Sequence, residues 1–342
     1  MQILFSFLVL LPEATVFALK FSSTAGPVTP PRSGHTASAD ANGNVYLFGG
    51  YAEHEGASRD VINDLLMYND ALGDWDCVQP ETTRDEAPAD RPGPRLASAS
   101  AIIDGEMLMF GGWDPQEAGT GGIILDDVWA LDLKEKVWTR CESPMPRGPS
   151  SRHVAVNVGG ETLVVHTFRC VDSVLVWDKA KRSLVEQKTS GTPPSSRGLH
   201  VAAAADEHTM VVFGGAAKDG NMANDAFALD VRTWTWRALE TTGEDGAPTP
   251  RAGACAASVE GGILVFGGAE AKPEGGLNPR ADCWMLSLDE MKWTLLADDA
   301  APAAPGARNA ASLSPIGGNK FLLHGGWRPF VNTYGDSHVL EL

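Results

Sequence analysis

The stretch Val45-Tyr46-Leu47-Phe48-Gly49-Gly50 carries the pattern that decides the fold of this chain. It is a short apolar run that ends in two glycines. Four to six apolar residues closed by a chain breaker predict a buried β-strand, because a buried helix usually needs a longer run. Glycines at the end of a strand permit a positive φ angle or a close approach of another backbone segment.

The same phrase returns along the chain. The further copies cover residues 107–112, 210–215, 263–268 and 321–326, and His324 replaces the last aromatic residue in the fourth of them. A sixth copy, at residues 162–167, lacks both glycines. The glycine pairs recur about every 50 to 60 residues, and the interval from Gly111 to Gly214 holds two units. The chain therefore contains six repeats, and each pair is interpreted as the internal joint of one repeat.

Each repeat carries three further marks at fixed places. An arginine precedes the first strand, an aspartate opens the third strand, and most fourth strands contain a tryptophan. The arginines are Arg32, Arg95, Arg152, Arg197, Arg251 and Arg308. The aspartates are Asp64, Asp127, Asp172, Asp225, Asp282 and Asp336, and the tryptophans are Trp75, Trp138, Trp236 and Trp293.

Together these marks resemble the kelch repeat family over residues 19–342. The resemblance implies an all-β fold, a six-bladed β-propeller in which each repeat forms one four-stranded antiparallel blade.

After Asp336 only residues 337–342 remain, enough for a third strand but not for a fourth. Residues 16–22 precede the first Pro-Arg pair as the tryptophan strands precede the others. This N-terminal segment is therefore predicted to close the ring and remove the exposed sheet edge.

The first 18 residues allow two interpretations. Residues 3–11 form an apolar run, and small residues precede a cleavage position after Ala18, as in a signal peptide, but no Lys or Arg comes before the run. A cleaved signal would place the protein in the secretory pathway. An uncleaved segment would form part of the closing strand of a cytoplasmic protein. In both cases residues 19–342 are predicted to form a single propeller, and no segment is long enough to span a membrane.

The arginines and aspartates are predicted to form a structural ring. The first and third strands of an antiparallel blade run in the same direction, so their starts lie at one end of the blade. Arg32 would then meet Asp64, Arg95 would meet Asp127, and the other four repeats would follow. Bidentate guanidinium–carboxylate pairs of this kind fix geometry and satisfy buried charge. The alternative, in which these charges contact a ligand, stays open.

The loops after the glycine pairs are the predicted partner-binding elements, because aromatic and arginine residues on loops are favoured in binding hot spots. The candidate residues there are Tyr51, Arg59, Trp113, Asp114, Trp327 and Arg328. In the kelch family such loops commonly bind partner proteins, so the resemblance implies a protein-interaction scaffold or adaptor. The binding face is expected to lean toward blades one, two and six. The alternative is that the aromatic rings pack beneath their loops.

Charge narrows the class of partner. The chain has 27 Lys and Arg residues against 44 Asp and Glu residues, a net charge of −17. This balance opposes binding to nucleic acid, which needs clustered cations. The loop face is expected to be acidic overall with arginines at its inner edge, which favours a basic or mixed-charge segment of another protein. The propeller is predicted to be a monomer.

Catalytic and metal motifs are poor in this sequence. Its eight histidines are dispersed, and His35, His153 and His200 lie near first strands, where they could approach the central channel. The kelch family includes copper enzymes with a Tyr–Cys cross-link and iron-dependent specifier proteins, but the Glu-x3-Asp-x3-His motif of the latter is absent here. The sequence predicts no enzyme, metal or cofactor. The alternative is an enzyme, or a propeller that binds a small ligand or metal at the channel mouth.

Overall fold

The computed structural model describes residues 19–24, 28, 30–54, 59–82, 90–116 and 121–342. It confirms the predicted six-bladed β-propeller, since each repeat forms one antiparallel sheet with four main strands. In the described part of the chain, no helix is long and apolar enough to cross a membrane.

The blades follow the chain in order. Blade 1 contains Thr36–Ala39, Val45–Glu53, Arg59–Asn69 and Asp74–Gln79, blade 2 contains Ala99–Ile103, Glu106–Asp114, Ile123–Asp132 and Trp138–Arg140, and blade 3 contains Val154–Val158, Thr162–His166, Ser173–Asp178 and Ser183–Lys188. Blade 4 contains Val201–Ala204, Thr209–Phe213, Ala226–Asp230 and Thr235–Ala238, blade 5 contains Cys255–Val259, Gly262–Phe266, Cys283–Ser287 and Lys292–Ala297, and blade 6 contains Ser312–Gly317, Lys320–His324, Ser337–Glu341 and Lys20–Ser23.

Four short strands extend two of the loops. Blade 5 carries the hairpin Ala269–Ala271 with Leu277–Pro279, and blade 6 carries the hairpin Trp327–Arg328 with Asn332–Thr333. Two more short strands flank blades 1 and 4: Arg32–Ser33 pairs with Val45–Glu53, and Ser190–Gly191 lies parallel to Thr235–Ala238.

The N-terminal strand closes the ring, as the sequence predicts. Lys20–Ser23 pairs with Ser337–Glu341 in antiparallel register, so the last blade gains its fourth strand from the start of the chain. The predicted closing segment began at residue 16, but residues 1–18 lie outside the described residues, and the cleavage question falls on them. Pairing of this strand removes the free edge of blade 6.

Aromatic residues fill the gaps between blades. The aromatic residue that ends the apolar run of a second strand packs on a tryptophan of the next blade: Phe48 meets Trp138 at a centroid distance of 5.4 Å, and Phe213 meets Trp293 at 4.9 Å. His166 and His324 hold the same position in blades 3 and 6, facing Trp236 at 5.6 Å and Trp75 at 4.8 Å. Large rings in offset or edge contact add to the burial that holds neighbouring sheets together.

The glycine pairs make contacts inside their own repeat, as interpreted from the sequence, and they also join neighbouring blades. The N–H of Gly112 in blade 2 donates to the carbonyl of Ser150 in blade 3 at 2.9 Å. A Cβ on Gly111, whose φ is 49°, would lie 2.5 Å from that same carbonyl oxygen. The other intact pairs make the equivalent contact with the next blade around the ring. A side chain at the first position would push two sheets apart.

A closed ring of backbone hydrogen bonds lines the channel and includes the residue two positions after each of these contact points. Its members are Gly34, Ala97, Arg152, Leu199, Gly253 and Ala310. Each N–H donates to the carbonyl of the preceding member at 2.7–2.9 Å, and Gly34 donates to Ala310 to complete the circle. All six have φ angles between 51° and 66°. Their side chains therefore stand at corresponding places around the channel mouth.

Candidate functional site

Five of the six arginines form bidentate ion pairs with the aspartate of the same repeat. These pairs are Arg32 with Asp64, Arg95 with Asp127, Arg197 with Asp225, Arg251 with Asp282, and Arg308 with Asp336. The arginines are no more than 3% exposed. The geometry favours a structural role for these five pairs over ligand contact, because the guanidinium groups are sealed inside the blade ends.

Arg251 shows how each pair is held. Its Nη1 donates to Asp282 Oδ1 at 2.6 Å and to the carbonyl of Gly267, the first glycine of the pair, at 3.0 Å. Its Nε donates to the carbonyl of Thr249 at 3.0 Å. Burial opposes ionisation of Asp282, but hydrogen bonds and the charge of Arg251 outweigh it and lower its pKa. The arginine thus ties the glycine turn to the start of the third strand.

Blade 3 departs from this scheme and corrects the sequence prediction. Arg152 does not reach Asp172. It is a member of the backbone ring around the channel, and Ser150 occupies the place that the paired arginine has elsewhere. Asp172 is exposed and instead accepts hydrogen bonds from Arg147 at 3.1 Å and Lys188 at 2.9 Å.

The spacing to the neighbouring histidine could have revealed this shift. Arg32 and Arg197 stand three residues before His35 and His200, which occupy one position of the channel wall. His153 occupies the same position in blade 3, but Arg152 stands only one residue before it. A count from the histidine therefore places Ser150 at the structural position and Arg152 at the channel ring.

The channel mouth contains a cavity of about 560 Å³ on the face formed by the loops between second and third strands. Tyr51, Arg59 and Trp327 line it, together with Arg152. Much of the remaining wall is apolar, with Leu96, Leu199, Met222 and Leu277 among its residues. The structure thus brings together three of the predicted partner-binding residues and one that the sequence assigned to another role.

Trp113 joins the cavity through Arg152. The Arg152 guanidinium lies over the Trp113 ring, 5.5 Å from its centroid, while the indole Nε1 donates to the carbonyl of Gly121 at 3.0 Å. A cation over an indole face gains from the ring quadrupole, and a held guanidinium loses less entropy on binding a ligand. Trp113 therefore positions the Arg152 side chain at the mouth.

Asp114 and Arg328 lie apart from the described cavity lining. Asp114 ends the second strand of blade 2 and accepts a hydrogen bond from the N–H of Gln116 at 2.9 Å. Arg328 is exposed on the hairpin of blade 6. Arg59 does line the cavity, but its Nη2 donates to Glu53 Oε2 at 2.9 Å, so its charge is compensated within the protein.

Three histidines form the deeper wall of the cavity, in agreement with the expected approach to the channel. His35, His153 and His200 are buried. Burial, with the Arg32 charge as a second cause, lowers the pKa of His35 to about 3, and burial lowers that of His153 to about 4. His200 Nε2 is 3.0 Å from His166 Nδ1. These imidazoles are neutral at neutral pH and belong to the packed wall.

The next question is whether the described side chains could hold a metal ion. Among the described residues, no group of three or more His, Cys, Asp and Glu side chains is close enough to hold a metal ion. The described cysteines are all free, and only Cys77 is exposed.

Comparison with known proteins matches the repeat architecture. The profile of the KLHDC2/KLHL20/DRC7 Kelch-repeats domain matches residues 18–173 and 155–342. Putative adagio-like protein 2 of Oryza sativa subsp. japonica is 30% identical over 94% of this chain and 51% of its own length. Kelch domain-containing protein 10 of Xenopus tropicalis is 26% identical over 87% of this chain and 71% of its own length.

A solved structure shares the fold. YjhT superposes with a TM-score of 0.67 at 18% identity, covering 91% of this chain and 95% of its own. The chain spans about half the length of the adagio-like relatives that it matches. The family profile covers both halves of the propeller. The chain belongs to the kelch-repeat family.

Proposed function

We propose that this propeller binds a partner protein through the loop face around the channel mouth. Membership of the kelch family and the propeller fold support a protein-interaction scaffold in general terms. The observation that carries the proposal is the grouping of Tyr51, Trp327 and the Trp113–Arg152 pair around one apolar cavity. These three aromatic residues belong to blades 1, 2 and 6, toward which the binding face was expected to lean.

The composition of this face supports protein recognition. Aromatic and arginine side chains at the centre of an interface carry much of its binding energy, because they bury large areas with few rotatable bonds. Tyr51, Trp113 and Trp327 are partly exposed, so their rings are available to a partner. Phe330, 95% exposed at the tip of the blade 6 hairpin, adds an apolar contact beside Trp327, with ring centroids 6.4 Å apart.

Affinity purification tests this proposal. The wild-type protein is immobilised and compared with Trp113→Ala and Trp327→Ala, and partner recovery is expected to fall by about ten-fold or more for each, the loss expected of a hot-spot residue. Leu72→Ala is the matched control, since Leu72 is 72% exposed in a turn at the opposite end of blade 1. Equal partner recovery with wild type and the two tryptophan variants would show that Trp113 and Trp327 do not anchor the partner.

The second candidate function, an enzyme or small-ligand propeller, rests on the same cavity. Its volume of about 560 Å³ suits a small molecule. General acid–base chemistry would need a group that titrates near neutral pH. The described lining contains buried histidines, and the pKa values of His35 and His153 are lowered to about 3 and about 4. This makes the protein-binding function the better supported of the two.

A further inference from the structure

Two buried histidines face each other across the contact between blades 3 and 4. His166 ends the apolar run of the second strand of blade 3, where four other blades have phenylalanine. His200 directly precedes the first strand of blade 4. Their side chains are 1% and 4% exposed, and their ring centroids lie 4.9 Å apart. We call this pair, together with Trp236 packed on His166, the histidine seam.

A single hydrogen bond connects the two imidazoles. His166 Nδ1 lies 3.0 Å from His200 Nε2, so one of these nitrogens carries a proton and the other accepts it. One added proton would place a positive charge in the buried seam. Among the described residues, no carboxylate lies at ion-pair distance from either imidazole to compensate that charge. A second added proton would leave two N–H groups facing each other without an acceptor.

The surroundings of the pair also oppose protonation. Burial is the largest cause that lowers the pKa of His166 to about 4, the charge of Arg197 adds to it, and the backbone of Cys170 acts in the opposite direction. Burial, His166, Arg197 and His153 lower the pKa of His200 well below its usual value, against a contribution from the backbone of His166. An imidazole released into water has a pKa of about 6.5. Acid therefore favours any state in which the two rings are released.

The backbone contact that joins the other blades is missing at the histidine seam. At the other five contacts between blades, the N–H of the second glycine donates to a carbonyl of the next blade at 2.8–3.0 Å. Blade 3 lacks the glycine pair, and no backbone N–H of the described residues donates to the corresponding carbonyl, that of Arg197. A side-chain hydrogen bond from Ser196 to the carbonyl of Phe168 and a shared apolar cluster remain. This seam therefore depends more strongly on its side chains.

From these contacts we infer that mild acid opens the propeller at the histidine seam while the other contacts between blades stay closed. Each four-stranded sheet stays intact, and blades 3 and 4 separate when the imidazole pair takes up protons. Opening changes the wall of the cavity, because Arg152, Leu199 and His200 line it there. The inference concerns the ring itself and does not depend on the proposed partner binding.

Blades 6 and 1 meet at a similar pair of histidines in a different environment. His324 Nδ1 lies 2.8 Å from Ser337 Oγ, and His35 Nε2 lies 2.9 Å from Ser312 Oγ. A hydroxyl can donate to a neutral imidazole or accept from a protonated one. The Asp336 carboxylate favours a charge on His324, although burial and two arginines oppose it. Because the glycine joint is also intact here, this contact is expected to open less than the histidine seam.

Hydrogen exchange of the ring amides tests the inference contact by contact. The N–H of Leu199 crosses the histidine seam, and that of Gly253 crosses the contact between blades 4 and 5, both at 2.9 Å. NMR measures the protection of each amide on the whole chain at pH 7 and pH 5, relative to the unfolded-chain rate at the same pH. Protection at Leu199 is expected to fall about ten-fold or more, because one extra bound proton favours the open state by up to about ten-fold per pH unit below 6.5.

The contact between blades 4 and 5 supplies the internal reference and the design of the variant. It has Phe213 and Ala254 in place of the two histidines, so protection at Gly253 is expected to change by less than about three-fold. The double variant His166→Phe/His200→Ala gives the histidine seam the same two residues. It is expected to reduce the loss at Leu199 to less than about three-fold.

His208→Ala is the matched control, because His208 is exposed in the bend between the first and second strands of blade 4. It is expected to leave the loss of protection at Leu199 unchanged. Thermal unfolding at pH 7 checks that each variant is folded. If the double variant is unfolded, His200→Ala alone replaces it, with an effect expected in the same direction.

Three results would overturn the inference. Equal losses of protection at Leu199 and Gly253 would show general acid unfolding instead of opening at one contact. A loss at Leu199 that persisted in the double variant would show that the histidine pair does not control opening. A larger loss at Gly34, whose N–H crosses the contact between blades 6 and 1, would place the acid-sensitive contact there.

Discussion

Blade 3 differs from the other five blades in the contacts made at the start of its first and third strands. In blade 5, Arg251 is buried between Asp282 and the carbonyl of Gly267. In blade 3 the corresponding place holds Ser150, the glycine pair is lost, and Arg147 pairs with Glu186 at 2.7 Å near the surface, where its side chain is 27% exposed. Blade 3 thus lacks both the buried arginine and the glycine pair, two marks that contact each other in the other blades.

This difference teaches what the marks do. The carbonyl of the first glycine accepts a hydrogen bond from the arginine, and the N–H of the second glycine binds the next blade. In blade 3, where both glycines are absent, Arg152 does not pair with Asp172, which binds Arg147 and Lys188 instead. Freed from this set of contacts, blade 3 can place an arginine at the channel ring, where the other blades place small or apolar residues.

The largest effect should come from breaking a buried pair. Arg251→Ala leaves the carboxylate of Asp282 without its main partner, and the loss of unfolding free energy is expected to be about 3–5 kcal/mol. Urea unfolding followed by tryptophan fluorescence measures it. Arg147→Ala, the counterpart in blade 3, should cost far less because its partners are solvated. Equal losses for the two variants would contradict the contrast between these blades.

A smaller effect should follow from filling a glycine joint. Gly111→Ala places a Cβ 2.5 Å from the Ser150 carbonyl oxygen at a φ of 49°, and we expect it to cost about 1–3 kcal/mol of stability. Gly105→Ala is the control, because a Cβ on Gly105, at a φ of 78°, meets no atom within 4 Å. Thermal unfolding of the two variants separates contact from backbone strain. Equal thermal unfolding midpoints for Gly111→Ala and Gly105→Ala would argue against a closely packed joint at Gly111.

The smallest effect at neutral pH concerns His166, which stands where four other blades have phenylalanine. Burial lowers its pKa from 6.5 to about 4. The imidazole of His166 is therefore protonated at a higher pH in the unfolded chain than in the folded protein. The free energy of unfolding is expected to fall progressively as the pH drops from 6.5 to about 4. His166→Phe should make this fall shallower in unfolding measurements across that range. An unchanged pH dependence would show that His166 does not contribute to it.

The regular blades were the most predictable part of the molecule. Their apolar runs and turn glycines are local features, and Lys20–Ser23 pairs where the sixth repeat lacks a fourth strand of its own. The candidate site was predictable only in part. Tyr51 and Trp327 follow glycine pairs and reach the cavity, but Arg328 follows Trp327 and points elsewhere on the hairpin, because successive residues of a strand alternate between faces.

The sequence by itself determined the repeat number, the all-β fold and the closure of the ring, because burial and turn formation depend on residue type and local spacing. Only the tertiary structure decided that the glycine pairs join different blades and that Arg152 faces the channel. Those outcomes depend on contacts between segments that are distant along the chain, and a shift of two residues between Ser150 and Arg152 exchanges a sealed ion pair for an open cation. A motif records that an arginine is present, whereas the backbone path decides which group it meets.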